Sequence, residues 1–398
     1  MQRRDFFKKS LVAAGAVAIG SSLEAASQPN DKLKVSRIAF PQKRPMITYS
    51  DRPPLLESTR DVFAQAITPN DQFFVRWHMP EIPTHIDLET FRLKVNGEVK
   101  NELSLSVEQL KHEFEPVEVT SVLQCGGNGR SAFSPVAGGI QWGNGAVGNA
   151  TWKGARLRDV LERAGIKKDA EWIGFNGMDN ASYYETPNFA REMHLDELDD
   201  HVIIAYEMNG EELPYLNGFP LRLVIPGNYS DSWVKMLSNL TLTKHYQKLF
   251  FMDVAYRIPD NECECEEPGE KHVKTKPIEK MNVKSIIGYP TNDTVVHNNS
   301  HVTVRGVAFD QGKGIRSVLV STDEGKTWKE AVLGRDNLGR YSFREFRFSF
   351  KPKSYGKQKI MSRAINKAGE EQPFAEDIKW NHGGYKYNGI DVVTIEVV

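Results

Sequence analysis

The chain has 398 residues, 40% hydrophobic and 26% charged, which are ordinary globular values and leave room for two or three domains around at least one large core. With 51 basic against 52 acidic side chains the formal charge is −1, so there is no overall electrostatic pull towards nucleic acid. Three cysteines are too few for a disulfide framework in a chain this long, and the core has to carry the stability.

Residues 1–26 read as a targeting segment. Arg3-Arg4-Asp5-Phe6-Phe7-Lys8 precedes an apolar run from Leu11 to Gly20, the pattern of a twin-arginine export signal, with cleavage near Ala25 to Ser27. The run is far shorter than the ~20 residues a bilayer core needs, and no membrane span is expected here or elsewhere. That pathway carries folded proteins, commonly because a cofactor is inserted first, so the expected destination is the periplasm. Residues 27–70 are polar and punctuated by Pro41, Pro45, Pro53 and Pro54, and read as an extended arm.

Periodic structure follows. Phe73 to Trp77 and Phe91 to Val95 read as strands, the second alternating before the turn Asn96-Gly97. Val117 to Leu123 is a further strand. It runs into Gln124-Cys125-Gly126-Gly127-Asn128-Gly129-Arg130, which is too rich in glycine for a helix and is read as a loop. Leu157, Val160, Leu161 and Ala164 recur at helical spacing and predict a short amphipathic helix from Arg156 to Ala164, stopped by Gly165. Val202 to Tyr206 and Leu221 to Ile225 read as buried strands, so residues 71–257 form a mixed α and β domain.

Residues 258–278 are acidic and lack apolar periodicity. Cys263 and Cys265 lie within them; a disulfide or a metal site is conceivable, but one intervening residue strains an intrachain bridge, and a solvated acidic linker is expected. From 279 to 398 the pattern becomes short alternating strands, among them His301 to Val307, Ser317 to Ser321 and Val392 to Val397, with a hairpin turn at Thr322 to Lys326. This predicts a β-sandwich of immunoglobulin-like size and an α+β fold class overall.

Cys125 is the thiol with a chemical setting. It follows a strand directly, sits in a glycine loop and has Arg130 five residues on. Loop amides and a nearby cation would favour a thiolate able to bind a soft metal, whereas a lone cysteine elsewhere is more often buried and inert. Ser121 to Ser131 resembles the molybdenum-ligand loop of the sulfite oxidase family, whose one cysteine binds a molybdopterin-held metal. Phe73-Phe74-Val75-Arg76-Trp77-His78 is similar to that family's upstream Arg-x-His strand, and Ala205-Tyr206-Glu207-Met208-Asn209-Gly210 to its tyrosine motif. Pro226-Gly227 with Val234-Lys235-Met236-Leu237 resembles its pterin-contacting segment. Val318 to Trp328, Arg363 to Gly369 and Trp380 to Tyr385 resemble its dimerisation domain, so the resemblance spans about residues 70–398.

The resemblance implies a molybdopterin-binding catalytic domain at 71–257 and an immunoglobulin-like dimerisation domain at 279–398. It implies a molybdenum-molybdopterin cofactor with Cys125 as the metal ligand. Arg76, Arg130 and Tyr206 would be catalytic, the arginines as planar donors to an oxyanion, and His78, Arg191 and Lys235 would hold the cofactor. The implied reaction is oxidation of sulfite, or a related small sulfur oxyanion, to sulfate by a homodimer that passes electrons to a c-type cytochrome. The chain departs from the family at Trp380-Asn381-His382-Gly383, where some members carry a substrate-binding arginine; His382 and Lys386 are the nearest candidates here. A Cys-x-x-Cys-His haem-attachment sequence and a GxGxxG nucleotide fingerprint are both missing from these residues, so the expected acceptor is another protein. Two alternatives compete: the sulfane dehydrogenase component of a thiosulfate-oxidising complex, and a cofactor-free scaffold or binding subunit.

Overall fold

A computed structural model describes residues 40–270, 273–335 and 338–398. The export signal and the first part of the arm lie outside the described residues. The described part of the arm does more than run over the surface. Strands β1 (Ile47–Asp51) and β2 (Pro54–Glu57) form an antiparallel hairpin, and β2 pairs in turn with β3 (Val75–Arg76), placing Leu55 opposite Arg76 and Leu56 opposite Val75. Leu55 and Leu56 are both buried, so the hydrophobic pair that anchors the arm also fixes the register of Arg76.

Two sheets follow in the first half. After β4 (Leu93–Gly97) and β5 (Leu103–Leu105), helix α1 (Val107–Glu113) starts at a capping box in which the Ser106 hydroxyl accepts from the Gln109 amide and the Gln109 side chain from the Ser106 amide. Strand β6 (Pro116–Gln124) begins half-exposed and ends with four buried residues, which delivers Cys125 into the interior. It pairs antiparallel with β7 (Val147–Arg156), and helix α2 (Leu157–Ala164) follows, burying Leu157, Val160, Leu161 and Ala164 and ending at Gly165 with φ +72°. Next come β8 (Trp172–Asn176), β9 (Ala190–His194), β10 (Ile203–Met208), β11 (Glu211–Glu212), β12 (Arg222–Val224) and β13 (Asn239–Thr243). One sheet has the order β11-β10-β7-β6, with β12 also on β10; the other has the order β5-β4-β13-β8-β9, with β4 and β13 parallel.

The acidic segment is folded rather than a solvated linker. Helix α3 (Phe250–Asp253) leads to β14 (Arg257–Pro259), which pairs antiparallel with β15 (Thr275–Pro277) and so closes the segment into a loop. Within it Cys263 and Cys265 form a disulfide, contrary to the expectation from their spacing. Glu264 between them takes a left-handed φ of +50°, which turns the chain and brings the two Cα atoms to 5.1 Å, inside the ordinary range for a bridge.

The remaining strands, β16 (Lys284–Tyr289), β17 (Val295–Val296), β18 (Val302–Phe309), β19 (Ile315–Ser321), β20 (Lys329–Glu330), β21 (Val332–Leu333), β22 (Arg344–Phe350), β23 (Gly356–Asn366) and β24 (Asp391–Val397), make two sheets. Their orders are β16-β18-β22-β21 and β17-β24-β23-β19-β20. In β24 buried residues alternate strictly with half-buried ones, and Val304, Val318, Phe346, Ile360 and Val393 fill the space between the sheets. The molecule is therefore an α+β protein with a terminal β-sandwich.

Direct bonds tie the sandwich to the strands that carry the cleft. The Val122 amide donates to the Tyr341 carbonyl at 2.9 Å, and the Asn149 side chain donates to the Ser342 hydroxyl at 2.9 Å. From the arm, Arg60 donates to Asp391 at 2.6 Å, and Asp391, whose side chain is 1% exposed, also accepts from the Ile287 amide and from Asn144. Arg60→Met leaves that buried carboxylate without its ion-pair partner. The expected result is a loss of about 3 kcal/mol, the lower end for breaking a buried pair because two donors remain, read as a lower urea midpoint. An unchanged midpoint would show that the arm does not brace the sandwich. Among the described residues no helix is long and apolar enough to cross a membrane.

Candidate active site

Cys125 is the first residue beyond β6, and its amide donates to the Ala146 carbonyl at 2.9 Å, continuing the pairing with the approach to β7. The chain then turns sharply: the Asn128 amide donates to the Cys125 carbonyl, and the Asn128 side chain accepts from the Ala146 amide, each at 2.9 Å. Two glycines are dictated by contact. A Cβ on Gly126 would lie 2.3 Å from the Ile278 side chain, and Gly129, at φ +86°, presses against the Tyr387 ring. The loop holds the Cys125 thiol, free and 6% exposed, at the wall of a cleft.

Around the cleft stand Arg76, His78, Phe189, Arg222, Asp231, Trp233, Lys235 and Tyr256, with about 490 Å³ of space between them that includes the opening to solvent. Arg76 reaches it from β3, its guanidinium also donating to the Trp77 carbonyl at 2.9 Å. Lys235 donates to the Arg76 carbonyl at 2.9 Å and lies 4.5 Å from the centre of the Trp77 ring. Its pKa is lowered to about 7, first by burial and then by Arg222, with Asp179 opposing. His78 stacks on Phe189 with 3.8 Å between ring centres and bonds through Nε2 to the Tyr256 hydroxyl. Burial, with Arg76, Lys235 and Arg191 adding, holds its pKa well below the usual value, so the imidazole stays neutral.

The tyrosine at the cleft is Tyr256. Its φ of +58° is rare for an aromatic residue, and that backbone turn between α3 and β14 aims the phenol inward. Burial raises its pKa, so the hydroxyl remains a proton donor. Tyr206 is elsewhere: it sits in β10, 3% exposed, with the Lys111 ammonium 5.9 Å from its ring. Its motif marks a strand in the middle of a sheet, and its side chain is buried in the core and is not among the residues lining the cleft.

Arg130 also departs from its expected place. The chain reverses at Gly129, and the guanidinium packs under the loop, donating from Nε to the Gly383 carbonyl and from Nη1 to the Ile140 carbonyl, both at 2.9 Å. It lies 5.2 Å from the Tyr385 ring and braces the cysteine loop against the C-terminal segment. Arg191 stands directly behind the cleft wall. It pairs with Asp231 at 2.7 Å, bonds the Phe251 carbonyl, and lies 5.6 Å from the Tyr256 ring. Burial, opposed by Arg191, raises the Asp231 pKa to about 6.

Four buried polar atoms on the cleft residues find no partner within the protein: His78 Nδ1, Arg222 Nε, Trp233 Nε1 and Asp231 Oδ1. Arg191 Nε, just behind, is a fifth. Buried groups are rarely left unpaired, and so many on one wall indicate a polar guest. Two donors, Arg222 Nε and Trp233 Nε1, and two acceptors, Asp231 Oδ1 and, with Nε2–H given to Tyr256, His78 Nδ1, beside Arg76 and Lys235 suit a heteroaromatic ring system carrying an anionic group, and the Cys125 thiol suits a soft metal attached to it. Arg222, Trp233 and Tyr256 were not picked out from the sequence. Arg222 left a legible trace as a lone charge inside the apolar run Leu221 to Ile225; Trp233 and Tyr256 left none.

Residues 78–251 match the family described as oxidoreductase molybdopterin binding domain, and residues 275–397 match the Mo-co oxidoreductase dimerisation domain. The chain is 33% identical over 351 residues to mitochondrial sulfite oxidase of Mus musculus, covering 83% of this chain and 62% of that one. It is 31% identical over 360 residues to sulfite oxidase of Gallus gallus, covering 86% and 76%. With the sulfite oxidase of Arabidopsis thaliana it shares 28% identity over 367 residues, 86% of this chain and 92% of that one. Among solved structures, the sulfane dehydrogenase SoxCD from Paracoccus pantotrophus shares the fold, with a TM-score of 0.75, coverage of 98% and 99%, and 23% identity.

Proposed function

The chain belongs to the sulfite oxidase family of molybdopterin enzymes, with a molybdenum-molybdopterin cofactor, and from that premise we propose that it oxidises sulfite to sulfate and passes the electrons to a c-type cytochrome. The observation that carries this reading is one cleft in which a buried thiol, a guanidinium and a phenol converge: Cys125, Arg76 and Tyr256. When bound, the cofactor supplies the two-electron oxidation and the oxygen exchange. The chain's own residues supply the rest. Cys125 would hold the metal, and Arg222, Trp233, Lys235, His78 and Asp231 would hold the organic part, satisfying the atoms that the protein leaves unpaired.

Arg76 fixes the oxyanion, because its planar fork matches two sulfite oxygens and its charge offsets theirs in a site partly shielded from water. Tyr256 donates a hydrogen bond to the same guest, oriented by neutral His78. The C-terminal sandwich joins two chains as a homodimer, in keeping with its match to the dimerisation domain, and the folded holoprotein acts in the periplasm.

Two substitutions separate the tyrosines. Tyr256→Phe is expected to lower kcat/KM for sulfite by about 10- to 100-fold, the cost of about 1.5–3 kcal/mol for a hydrogen bond to a charged group. Tyr206→Phe is expected to leave it within about 2-fold. The reverse ranking would return the role to Tyr206. The direct test is steady-state turnover of purified holoprotein with sulfite and cytochrome c. Turnover is expected; its absence, with activity on protein-bound sulfane sulfur instead, would overturn the sulfite reading.

A further inference from the structure

The disulfide between Cys263 and Cys265 lies on a loop strapped across the C-terminal segment that covers the cysteine loop. Glu264, between the two cysteines, pairs with Lys386 at 2.5 Å and with Lys276 at 3.1 Å. Glu266 accepts from the His382 amide at 2.9 Å and pairs with the His382 ring, while its own amide donates to the Trp380 carbonyl at 2.9 Å. The segment held in this way is the one that touches the site. The Lys386 amide donates to the carbonyl of Gly126, the neighbour of Cys125, at 2.9 Å. Tyr385 stacks on Tyr256 with 5.6 Å between ring centres, and the Gly383 carbonyl accepts from Arg130. Lys386 takes a φ of +64° and Glu264 one of +50°, conformations that lysine and glutamate adopt rarely.

Cys263 is exposed, and the bridge closes a loop of three residues. So short a loop takes little entropy from the unfolded chain, and exposed bridges are the ones open to exchange. The disulfide is thus reachable by a thiol while being joined, through one glutamate and one lysine, to the backbone beside the metal ligand.

We propose that Cys263–Cys265 is a thiol–disulfide exchange site for a dithiol reductant, and that opening it releases the strap on residues 380–386. A thiolate of the reductant attacks the exposed Cys263 sulfur and forms a mixed disulfide, and Cys265 leaves as a thiolate that takes up a proton. The second thiol of the reductant then displaces Cys263, which is protonated in turn. The reductant ends as a disulfide, and two electrons and two protons have passed to the cysteine pair. With the bridge open, Glu264 is free to leave its turned conformation and Lys386 loses its clamp.

The test uses holoprotein treated with dithiothreitol, trapped with iodoacetamide and freed of reagent by gel filtration. Mass spectrometry is expected to find both cysteines alkylated after reduction and neither before it. Hydrogen exchange at 261–267 and 380–386 is expected to rise several-fold, and KM for sulfite by more than kcat changes. Cys263→Ser/Cys265→Ser is expected to exchange fast without reductant and to ignore it, and Glu264→Gln to loosen 380–386 with the bridge intact. Free thiols at Cys263 and Cys265 in the native protein, or unchanged exchange at 380–386 after reduction, would overturn the proposal. The exchange result does not depend on the substrate, so a failed strap and a failed sulfite reading are distinguished.

Discussion

Cys125→Ser is expected to reduce turnover by more than about 100-fold and to strip most of the molybdenum, while leaving the protein folded. Removing even an outer partner of a metal ligand costs about 10- to 100-fold in affinity or activity, and the ligand itself has to cost more. A serine hydroxyl has the shape of the thiol but is a smaller, hard oxygen that stays protonated at neutral pH, a poor replacement for a soft thiolate. The fold is insulated from the change because Cys125 is held by its backbone, through Ala146 and Asn128, and because the cleft face of its side chain is open. Metal content by mass spectrometry and the far-ultraviolet circular dichroism of the variant check the two halves separately. A serine variant with wild-type metal and turnover would remove Cys125 from the site.

Arg76→Gln is expected to lower kcat/KM by about 100-fold or more, mainly through KM, with molybdenum retained. Truncating one partner of a buried, hydrogen-bonded charge pair costs about 2–5 kcal/mol, and each 1.4 kcal/mol is tenfold. Arg76→Lys keeps the charge and loses the fork, so a smaller defect is expected, about tenfold. The bond from Lys235 survives in both variants because it goes to the Arg76 carbonyl. Removing the guanidinium also removes one of the cations that push the Lys235 and His78 pKa values down. Both then move upward, so a group that titrates as Lys235 does should shift to higher pH in Arg76→Gln. Steady-state kinetics across pH measure both effects; an unchanged KM would mean that the oxyanion binds elsewhere.

What the sequence made legible follows from which signals are local. The strand-then-glycine pattern around Cys125 depends on neighbouring residues alone, and the structure places that thiol at the end of β6 facing the cleft. Arg76 ends β3 and His78 follows two residues later in the bend beyond it, so one short stretch of chain carries both to the cleft. Arg130 was misplaced because proximity in sequence does not survive a reversal at Gly129. Tyr206 was misplaced because an apolar strand carrying a tyrosine reads the same whether the ring faces a core or a cleft. Tyr256 was illegible because its inward aim comes from an unusual φ that only the packing of α3 against β9 and the pairing of β14 with β15 impose. The same holds for the Cys263–Cys265 bridge, which needed the turn at Glu264 to become possible.

The arm and the sandwich show the same division. Alternation in β24 announced a strand, but nothing in the sequence announced that Arg60 would meet Asp391, 331 residues away, and tie the arm to β24. Long-range ion pairs have no periodicity to read.

The most direct test of the account is X-ray absorption at the molybdenum edge, comparing matured wild-type protein with Cys125→Ser loaded to measurable occupancy. The account predicts one more sulfur neighbour at the metal in the wild type than in the variant. Equal sulfur counts in the two proteins would contradict it.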